Sequence, residues 1–390
     1  MKVFLVAGEM SGDKLGGALM QGLRQLVPDV TFEGIGGPAM QAQGLISQFP
    51  MDELSVMGIA EVLPKYLHLK RRISETADAV VAAQPDVLIT IDSPDFSLRV
   101  ARIVKDKSDI RTVHYVAPTV WAWRAGRAEK MSHMIDQVLA LLPFEPPYMQ
   151  AAGMRCDFVG HPVTTEPVGS DAEVLEFREA HDLGDEPFLL VLPGSRRGEV
   201  GRLGPIFAQV VADVVNARPD LRIVVPAAAP VAVLVKDLVK DWPGNVTVLD
   251  PRGRGEQEAQ REKRAAFRAA HTALAASGTV SLELAAAGTP MVIAYDMNWL
   301  SRQIIAMMLK VDTVTLVNLV SETRDVPELI GADCRADRIA PVLLDVIGNP
   351  GAQSEAMNVT MDRLGRGGEA PGLRAARAVL DGLDRLERAE

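Results

Sequence analysis

The chain of 390 residues is 48% hydrophobic and 5% aromatic, and its formal net charge is −10. Its length predicts two to three domains with sizeable cores, and the acidic balance argues against a general nucleic-acid-binding protein. Cys156 and Cys334 each lack a second cysteine nearby, which argues against a zinc cage or a disulfide framework and favours buried thiols in a reducing cytoplasm. The N-terminal apolar run is too short for a signal peptide, and no run of about 20 apolar residues predicts a membrane span.

The first predicted unit is a strand at residues 3–7, a glycine-rich turn and a helix at residues 15–26, which together indicate the start of a parallel sheet. The turn at residues 8–13 lacks the G-x-G-x-x-G spacing of a dinucleotide site, and its two acidic residues would repel a pyrophosphate. It either lines a polar acceptor pocket or caps the helix. The candidate pocket residues are Glu9, Ser11, Gly12 and Asp13.

A strand at residues 31–35 and a short helix at 39–43 precede an amphipathic segment at residues 54–73. In this segment the helical spacing of Leu63, Tyr66, Leu67 and Ile73 predicts a core-facing stripe. Further apolar residues and a basic cluster remain, so the segment is either a solvated helix or a surface that lies on an anionic membrane. The predicted membrane patch consists of Val56, Met57, Val62, Leu63, Leu69, Lys70, Arg71 and Arg72.

A third buried strand, residues 86–91, ends at two carboxylates, Asp92 and Asp95. Doubly wound sheets bind ligands at the carboxyl ends of their strands, so a carboxylate here is a candidate base. Asp92 is the better candidate because it follows the strand directly. The alternative is that one of the two carboxylates caps the next predicted helix, residues 98–104.

The fourth strand, residues 112–116, leads into a loop that holds Trp121 and Trp123, two of the four tryptophans. Aromatic side chains exposed in a loop stack on sugars or apolar chains; the alternative is that they plug the core. A fifth strand at residues 137–142 follows, and a segment that ends near His161 closes the first half. We include these tryptophans and His161 among the residues that would line a cleft.

The pattern of strands and helices restarts after a polar connection at residues 164–171. Two such series predict an α/β protein of two doubly wound domains with a cleft between them. The predicted domains are residues 1–165 and 185–345, with helices in residues 346–390 packing back on the first domain. The strands predicted in the second half are residues 188–192, 221–226, 246–249 and 290–295, and the helices are residues 173–181, 206–216, 252–268, 300–309, 336–346, 353–364 and 373–386.

Ser277-Gly278-Thr279 precedes an apolar helix that stops at Gly288. The free N–H groups and partial positive charge of a first helical turn suit a diphosphate. Glu283, one turn into the helix, is placed to accept the two hydroxyls of a ribose. The alternative is an ordinary capped helix with a solvated glutamate.

The Gly194-Ser195-Arg196 turn follows the strand at residues 188–192, and an arginine there can bind a phosphate bidentately. The sequence has no D-x-D triplet, so we expect neither a metal nor another cofactor at the diphosphate. Helix N-termini and Arg196 would then stabilise the charge on a leaving group.

Taken in order, these motifs resemble the lipid-A-disaccharide synthase family, inverting glycosyltransferases of the GT-B type, over nearly the whole chain. The segments that carry the resemblance are residues 6–13, 56–63, 91–96, 114–123, 142–145, 158–162, 192–196 and 277–283. The family usually has serine at the position of Thr119 and asparagine at that of Ser97. Neither difference removes a titratable group, so only details of acceptor contacts are affected.

The resemblance implies that UDP-2,3-diacylglucosamine donates its sugar to 2,3-diacylglucosamine 1-phosphate, giving a β-1,6-linked disaccharide 1-phosphate and UDP. It implies that Asp92 is the base for the 6-hydroxyl and that Arg196 is an essential arginine. The implied donor site comprises Gly194, Ser195, Arg196, Ser277, Gly278, Thr279, Glu283 and Asn318. Because the acceptor is a membrane lipid, the resemblance also favours a peripheral protein on the cytoplasmic face of the inner membrane, and a homodimer is possible.

Three rival functions share this fold or this kind of ligand. A peptidoglycan-type N-acetylglucosaminyltransferase would use a polyprenyl acceptor, a UDP-sugar 2-epimerase would need no acceptor, and a nucleotide-sugar sensor would turn over nothing. The tryptophan loop and the amphipathic segment favour a lipid acceptor over the epimerase.

Overall fold

A computed structural model describes residues 1–54, 59–121, 126–297 and 311–387, with only the backbone at residues 59–65 and 385–387. The chain divides into two compact units. Unit 1 comprises Met1–Thr165 and Gly367–Glu390, and unit 2 comprises Glu166–Arg366.

Unit 1 is built on a six-stranded parallel sheet with strand order β2-β1-β3-β4-β5-β6. Its central strands are buried on both faces, which explains their continuous apolar sequence. The strands are β1 (Lys2–Ala7), β2 (Thr31–Ile35), β3 (Val87–Ile91), β4 (Arg111–Tyr115), β5 (Gln137–Ala140) and β6 (Arg155–Phe158). The α-helices are α1 (Met10–Leu26), α2 (Pro38–Ala42), α3 (Ile59–Ala83), α4 (Pro94–Lys107), α5 (Gly126–Ser132), α6 (Pro146–Gln150) and the last helix of the chain, α15 (Pro371–Glu387).

Unit 2 repeats this architecture, with strand order β12-β11-β10-β7-β8-β9 and parallel pairing throughout. The strands are β7 (Phe188–Leu192), β8 (Arg222–Pro226), β9 (Val246–Leu249), β10 (Thr272–Ala276), β11 (Met291–Tyr295) and β12 (Glu328–Ile330). The helices are α7 (Asp171–Ala180), α8 (Arg197–Ala217), α9 (Ala232–Val239), α10 (Glu256–Ala269), α11 (Val280–Ala287), α12 (Leu316–Ser321), α13 (Ala336–Gly348) and α14 (Ser354–Arg363). The predicted α/β class with two doubly wound sheets is confirmed.

Each sheet has one point where the strand order reverses, between β1 and β3 in unit 1 and between β7 and β10 in unit 2. The paired strands end level with one another, since Ala7 is in register with Ile91 and Leu192 with Ala275. Helices leave such a point in opposite directions, which opens a crevice at the carboxyl ends of the strands.

Three predictions about the elements are wrong. Helix α1 begins at Met10 rather than residue 15, so Ser11, Gly12 and Asp13 are helical. Residues 346–390 do not form one group, because α14 belongs to unit 2 and α15 to unit 1. Helix α7 also lies in unit 2, outside the predicted bounds of that domain. The helix predicted at residues 300–309 lies outside the described residues.

Helix α3 orients its apolar residues differently from the prediction. Tyr66 and Leu67, predicted to face a core, are 47% and 78% exposed. Leu69, which was predicted to lie outside the core-facing stripe, is partly buried and packs against the core. It lies in line with the buried Ile73, Ala77 and Val80. Among the described side chains of α3, Leu69 is thus the first that contacts the core, and Tyr66 and Leu67 before it are exposed. Val56 and Met57 lie outside the described residues, as do the side chains of Val62 and Leu63.

Two of the three basic residues predicted for the membrane patch form ion pairs within unit 1. Arg72 binds Glu53 at 2.8 Å and Glu75 at 2.9 Å, and Arg71 binds Glu75 at 3.3 Å. Lys70 is exposed. The pairing leaves less positive charge on this surface than the sequence indicated.

Both cysteines are buried, as predicted. Within the described ranges, no helix is long and apolar enough to cross a membrane, and no cluster of His, Cys, Asp or Glu is suited to hold a metal ion.

The last helix, α15, packs so closely on α1 that their backbones are in contact. A Cβ added at Gly372 would lie 2.5 Å from the carbonyl oxygen of Ala18, and one at Gly22 would lie 2.7 Å from that of Gly372. The Arg374 guanidinium donates to the Phe158 carbonyl at 2.8 Å, and Gln137 donates to the Ala378 carbonyl at 2.8 Å. These contacts fasten the end of the chain to the sheet of unit 1.

We predict that Gly372→Ala destabilises the protein. The methyl group would overlap a backbone oxygen, and overpacking costs about 1–3 kcal/mol, which exceeds the roughly 1 kcal/mol that alanine gains over glycine in a helix. Urea or thermal unfolding measures the change. Gly126→Ala, whose Cβ would meet nothing within 4 Å among the described residues, serves as control. A Gly372→Ala variant as stable as the control would contradict the close helix contact.

Candidate functional site

At the carboxyl end of β3 the backbone takes a rare conformation. Asp92 and Ser93 have φ angles of 51° and 44°, and Val116, after the neighbouring strand β4, has a φ of 84°. L-residues seldom adopt this left-handed region, and such strain concentrates at functional sites. The Asp92 N–H donates to the Tyr115 carbonyl at 3.0 Å, and the Ser97 hydroxyl donates to the Asp92 carbonyl at 2.8 Å.

The strained turn holds the Asp92 carboxylate at the switch point of unit 1. The side chain is half-buried, and the carboxylate has no hydrogen-bond or ion-pair partner in the part of the chain that the structure describes. Gly8, at the end of β1, lies against the turn, since a Cβ there would be 2.7 Å from the Ser93 hydroxyl. Asp95 is exposed in the first turn of α4. The structure thus places Asp92 at the switch point and Asp95 at the exposed helix start, and the role of Asp92 as a base stays a prediction.

Of the pocket residues predicted around helix α1, Asp13 has a structural role instead. It is fully buried, and its carboxylate accepts the backbone N–H groups of Gly37 at 2.8 Å, Ala39 at 2.8 Å and Met40 at 3.0 Å. It fixes the turn between β2 and α2 and does not line a pocket. Gly12 is buried as well, whereas Ser11 is exposed and Glu9 is half-buried in the residue before the helix.

Two histidines near the strand ends of unit 1 are held neutral. Burial lowers the pKa of His161 to about 4, and its Nδ1 accepts the Val163 N–H at 3.2 Å. Burial, with a smaller contribution from Arg127, lowers the pKa of His114 to about 4, and its Nδ1 lies 2.8 Å from the Thr90 hydroxyl. His161 thus caps a short 3-10 turn at residues 162–164 as an acceptor, which leaves it a poor cation for an anionic ligand.

Trp121 is buried and is not exposed for stacking. It therefore fits the alternative prediction, in which the tryptophan plugs the core. Its ring meets Phe144 edge to face, with the centroids 5.1 Å apart and the planes at 82°. Glu145, a buried carboxylate next to this pair, did not emerge from the sequence patterns. Trp123 lies outside the described residues.

In unit 2 the Gly194-Ser195-Arg196 turn wraps around a carboxylate. Glu199 accepts the N–H of Ser195 at 3.1 Å, the N–H of Arg196 at 3.3 Å and the Arg196 guanidinium at 3.1 Å. Gly194 has a φ of 114°, and a Cβ there would lie 2.7 Å from Glu199. The donors of this turn thus bind the anionic oxygens of Glu199. The Arg196 side chain is 60% exposed. Sequence reasoning missed Glu199, although its spacing from Arg196 is that of a capping box.

The second predicted element of the donor site lies across the switch point, between β10 and α11. Gly278 has a φ of 158°, and the segment around it is exposed. The Ser281 hydroxyl and N–H turn back to the Gly278 carbonyl. The N–H groups of Gly278, Thr279 and Val280 have no acceptor among the described residues, as expected for the first turn of a helix. These donors can bind an anion.

Glu283 projects from α11 and forms an ion pair with Lys263 of α10. Lys263 also lies over the Phe267 ring, 5.1 Å from its centroid. Lys263 was not predicted, because it stands in a charged stretch with nothing local to distinguish it. The pair leaves Glu283 partly exposed, with an ammonium group beside its carboxylate.

Asn318 was predicted in the donor site but fastens a loop instead. The residue is buried, and its amide donates to the Val326 carbonyl at 2.9 Å and accepts the Val326 N–H at 3.0 Å. These bonds use both ends of the amide, so its side chain has no group directed at a ligand.

Comparisons with known proteins give matches along nearly the whole chain. The model of the lipid-A-disaccharide synthetase family matches residues 3–369. A protein of Ruegeria pomeroyi named lipid-A-disaccharide synthase is 64% identical over 383 residues, covering 98% of this chain and 96% of the relative. The protein of the same name from Rhodospirillum centenum is 44% identical over 387 residues, covering 97% and 94%.

Among solved structures, similarity is confined to the fold. UDP-GlcNAc 2-epimerase from Neisseria meningitidis, bound to UDP-GlcNAc, aligns with a TM-score of 0.66 at 14% identity and covers 99% of this chain and 100% of its own. A putative UDP-N-acetylglucosamine 2-epimerase from Listeria monocytogenes aligns with a TM-score of 0.65 at 14% identity, covering 100% and 97%. The two Rossmann-like units are those of the GT-B fold.

Proposed function

The chain belongs to the lipid-A-disaccharide synthetase family, and we propose on this basis the reaction and the residue roles below. The protein is a glycosyltransferase that condenses UDP-2,3-diacylglucosamine with 2,3-diacylglucosamine 1-phosphate, with inversion, to a disaccharide 1-phosphate and UDP. The observation that carries this assignment is identity along nearly the whole chain with relatives named lipid-A-disaccharide synthase.

We propose that unit 2 binds the UDP moiety of the donor at its switch point. The unpaired N–H groups at the start of α11, with the hydroxyls of Ser277 and Thr279, suit the diphosphate. Arg196 is exposed and can turn from Glu199 to a phosphate oxygen. Glu283 is placed one helical turn further on, where a carboxylate can accept ribose hydroxyls, and the Lys263 ammonium group lies beside it.

We propose that Asp92 of unit 1 is the general base. It takes the proton of the acceptor 6-hydroxyl while the acceptor oxygen forms its bond to the anomeric carbon and the bond from that carbon to the UDP oxygen breaks. Attack from the face opposite to UDP inverts the configuration. Arg196 and the N-terminus of α11 stabilise the negative charge that builds on the diphosphate, so we expect turnover to continue when EDTA removes divalent cations.

Product analysis separates this function from its rivals. With both lipid substrates, wild-type protein should release UDP and one disaccharide 1-phosphate per turnover, detected by mass spectrometry, with a β linkage by NMR. With the UDP-sugar alone, nothing should form. An epimerase would convert the UDP-sugar without acceptor, a peptidoglycan-type transferase would require a polyprenyl acceptor, and a sensor would bind UDP without turnover. Any of these three results would refute the proposal.

We predict that Asp92→Ala and Asp92→Asn abolish measurable turnover and leave UDP affinity within about twofold. Removing a general base typically costs a factor of 10²–10⁴ in rate, and the proposed UDP contacts lie on other residues. Steady-state kinetics and calorimetric titration with UDP measure the two effects. Asp95→Asn, at the exposed neighbouring carboxylate, should keep most of the activity. Substantial activity in the Asp92 variants would direct the search for the base to Glu9 or His161.

We further propose that the N-terminal part of α3 docks on the cytoplasmic face of the inner membrane. Tyr66 and Leu67 are exposed there beside Lys70, an arrangement that suits an anionic lipid surface. The other residues of the predicted membrane patch, 56, 57, 62 and 63, precede them in the sequence and lie outside the described residues or side chains. A homodimer, suggested by the family resemblance, stays a prediction.

We predict that Leu67→Glu weakens binding to vesicles of anionic phospholipid by about tenfold. The change removes an apolar side chain from the lipid and adds a charge of the same sign as the surface. Cosedimentation with vesicles measures binding, and turnover of short-chain soluble substrates should be unchanged. Leu175→Glu, at a 60% exposed leucine of α7 in unit 2, is the matched control. Equal vesicle binding by both variants would show that α3 is not part of the surface that binds the membrane.

A further inference from the structure

Unit 1 holds a buried carboxylate that the proposed reaction does not use. Glu145 follows β5 in the loop that leads to α6 and is only 3% exposed. Its Oε2 accepts the Leu142 N–H at 3.0 Å. Burying a carboxylate is costly unless it is paired or hydrogen-bonded, so its position in this loop needs a reason.

The nearest aromatic side chain supplies that reason. The Trp121 indole is buried, and its N–H lies beside the Glu145 carboxylate, close enough to lower the pKa of Glu145. The indole N–H has no acceptor with full hydrogen-bond geometry in the described part of the chain. The carboxylate is therefore its electrostatic partner, and Phe144, one residue before Glu145, meets the same ring edge to face at a centroid distance of 5.1 Å.

We propose that Glu145 is a positioning residue that fixes Trp121, and through it the loop after β4, for binding of the acceptor lipid. The described part of the loop after β4, residues 116–121, is thereby held to the loop after β5 by a charge and a ring contact. The strands β4 and β5 are neighbours in the sheet, and β4 also borders β3, which ends at Asp92. The proposal rests on the proposed function in one respect, since it takes this edge of the sheet as the acceptor side.

The charge on Glu145 changes near neutral pH. Burial raises its pKa to about 7, against the opposing effect of the Leu142, Trp121 and Leu141 N–H groups. The titratable group that faces it from β6 is the Cys156 thiol, which burial, with Glu145 and Asp157, keeps protonated by raising its pKa to about 12. Asp157 itself is paired with Arg155 at 2.8 Å. Glu145 is thus the group in this cluster that titrates near pH 7.

The sign of the effect follows from these contacts. The folded protein binds the Glu145 proton more tightly than the unfolded chain, so the stability from this group is greatest below pH 4.5 and falls as pH rises to about 7. The ionised carboxylate is the better partner for an N–H donor. The interaction of the Glu145 carboxylate with the Trp121 N–H is therefore strongest above pH 7 and weakens as the pH falls through this value.

Tryptophan fluorescence of the full chain without substrates tests the coupling. Between pH 5.5 and 8.5 we expect a change of emission with a midpoint near 7. Trp121→Phe and Glu145→Gln should each abolish it, whereas Glu129→Gln, at an exposed carboxylate of α5, should retain it. A wild-type protein without such a transition, or one that keeps it in Trp121→Phe, overturns the proposal without any need for the Glu145 variant to fold.

Kinetics at pH 8 test the role in binding. The glutamine amide offers one oxygen where the carboxylate offers two, so Glu145→Gln should raise the acceptor KM by about tenfold, the order of one lost hydrogen bond to a charged group. The donor KM should stay within about twofold. A fluorescence transition of the expected kind together with an unchanged acceptor KM overturns the positioning role. Failure of the proposed function is a different result, since wild type would then release no UDP in the presence of acceptor.

Discussion

In each unit the chain leaves two adjacent parallel strands in opposite directions, and the crevice that results is where the polar chemistry collects. The strands β1 and β3 in unit 1, and β7 and β10 in unit 2, end level with one another. These strands are mostly buried and contain no carboxylate or arginine, so the first positions where such a group can meet a ligand are the turns just after the strands. Asp92 and the Gly194–Arg196 and Ser277–Thr279 turns all occupy such positions.

The two crevices differ in the charge that they favour. In unit 1 a strained turn holds an unpaired carboxylate, and the neighbouring histidines are neutral because burial lowers their pKa values. In unit 2 the Glu199 carboxylate accepts the N–H groups of Ser195 and Arg196, and the Arg196 side chain is exposed. One crevice is suited to accept a proton and the other to bind an anion. This division fits a reaction in which one substrate loses a proton and the other loses a diphosphate.

Two buried carboxylates in unit 1 hold turns and loops in place through hydrogen bonds. Asp13 ties the turn between β2 and α2 to helix α1 through three backbone N–H groups. Glu145 accepts the Leu142 N–H in the loop after β5, and we propose that it also holds the loop after β4 through Trp121. Charged hydrogen bonds are stronger and more directional than apolar contacts, so they can fix loops whose own sequence has little regular structure.

The sequence by itself determined most of the strands but not β6, β10 or β12, and it determined the division into two βα series and the turns that carry Asp92, Arg196 and Ser277 to Thr279. These are local properties, because apolar runs and glycine-rich turns act over a few residues. It did not decide which polar residues face a ligand. Asp13 and Asn318 became structural through partners 8 to 27 positions away, Trp121 turned inward, and Glu145, Glu199 and Lys263 gained roles. Only the tertiary structure sets these outcomes, because packing alone brings distant donors and acceptors together and decides which of them stay exposed to solvent.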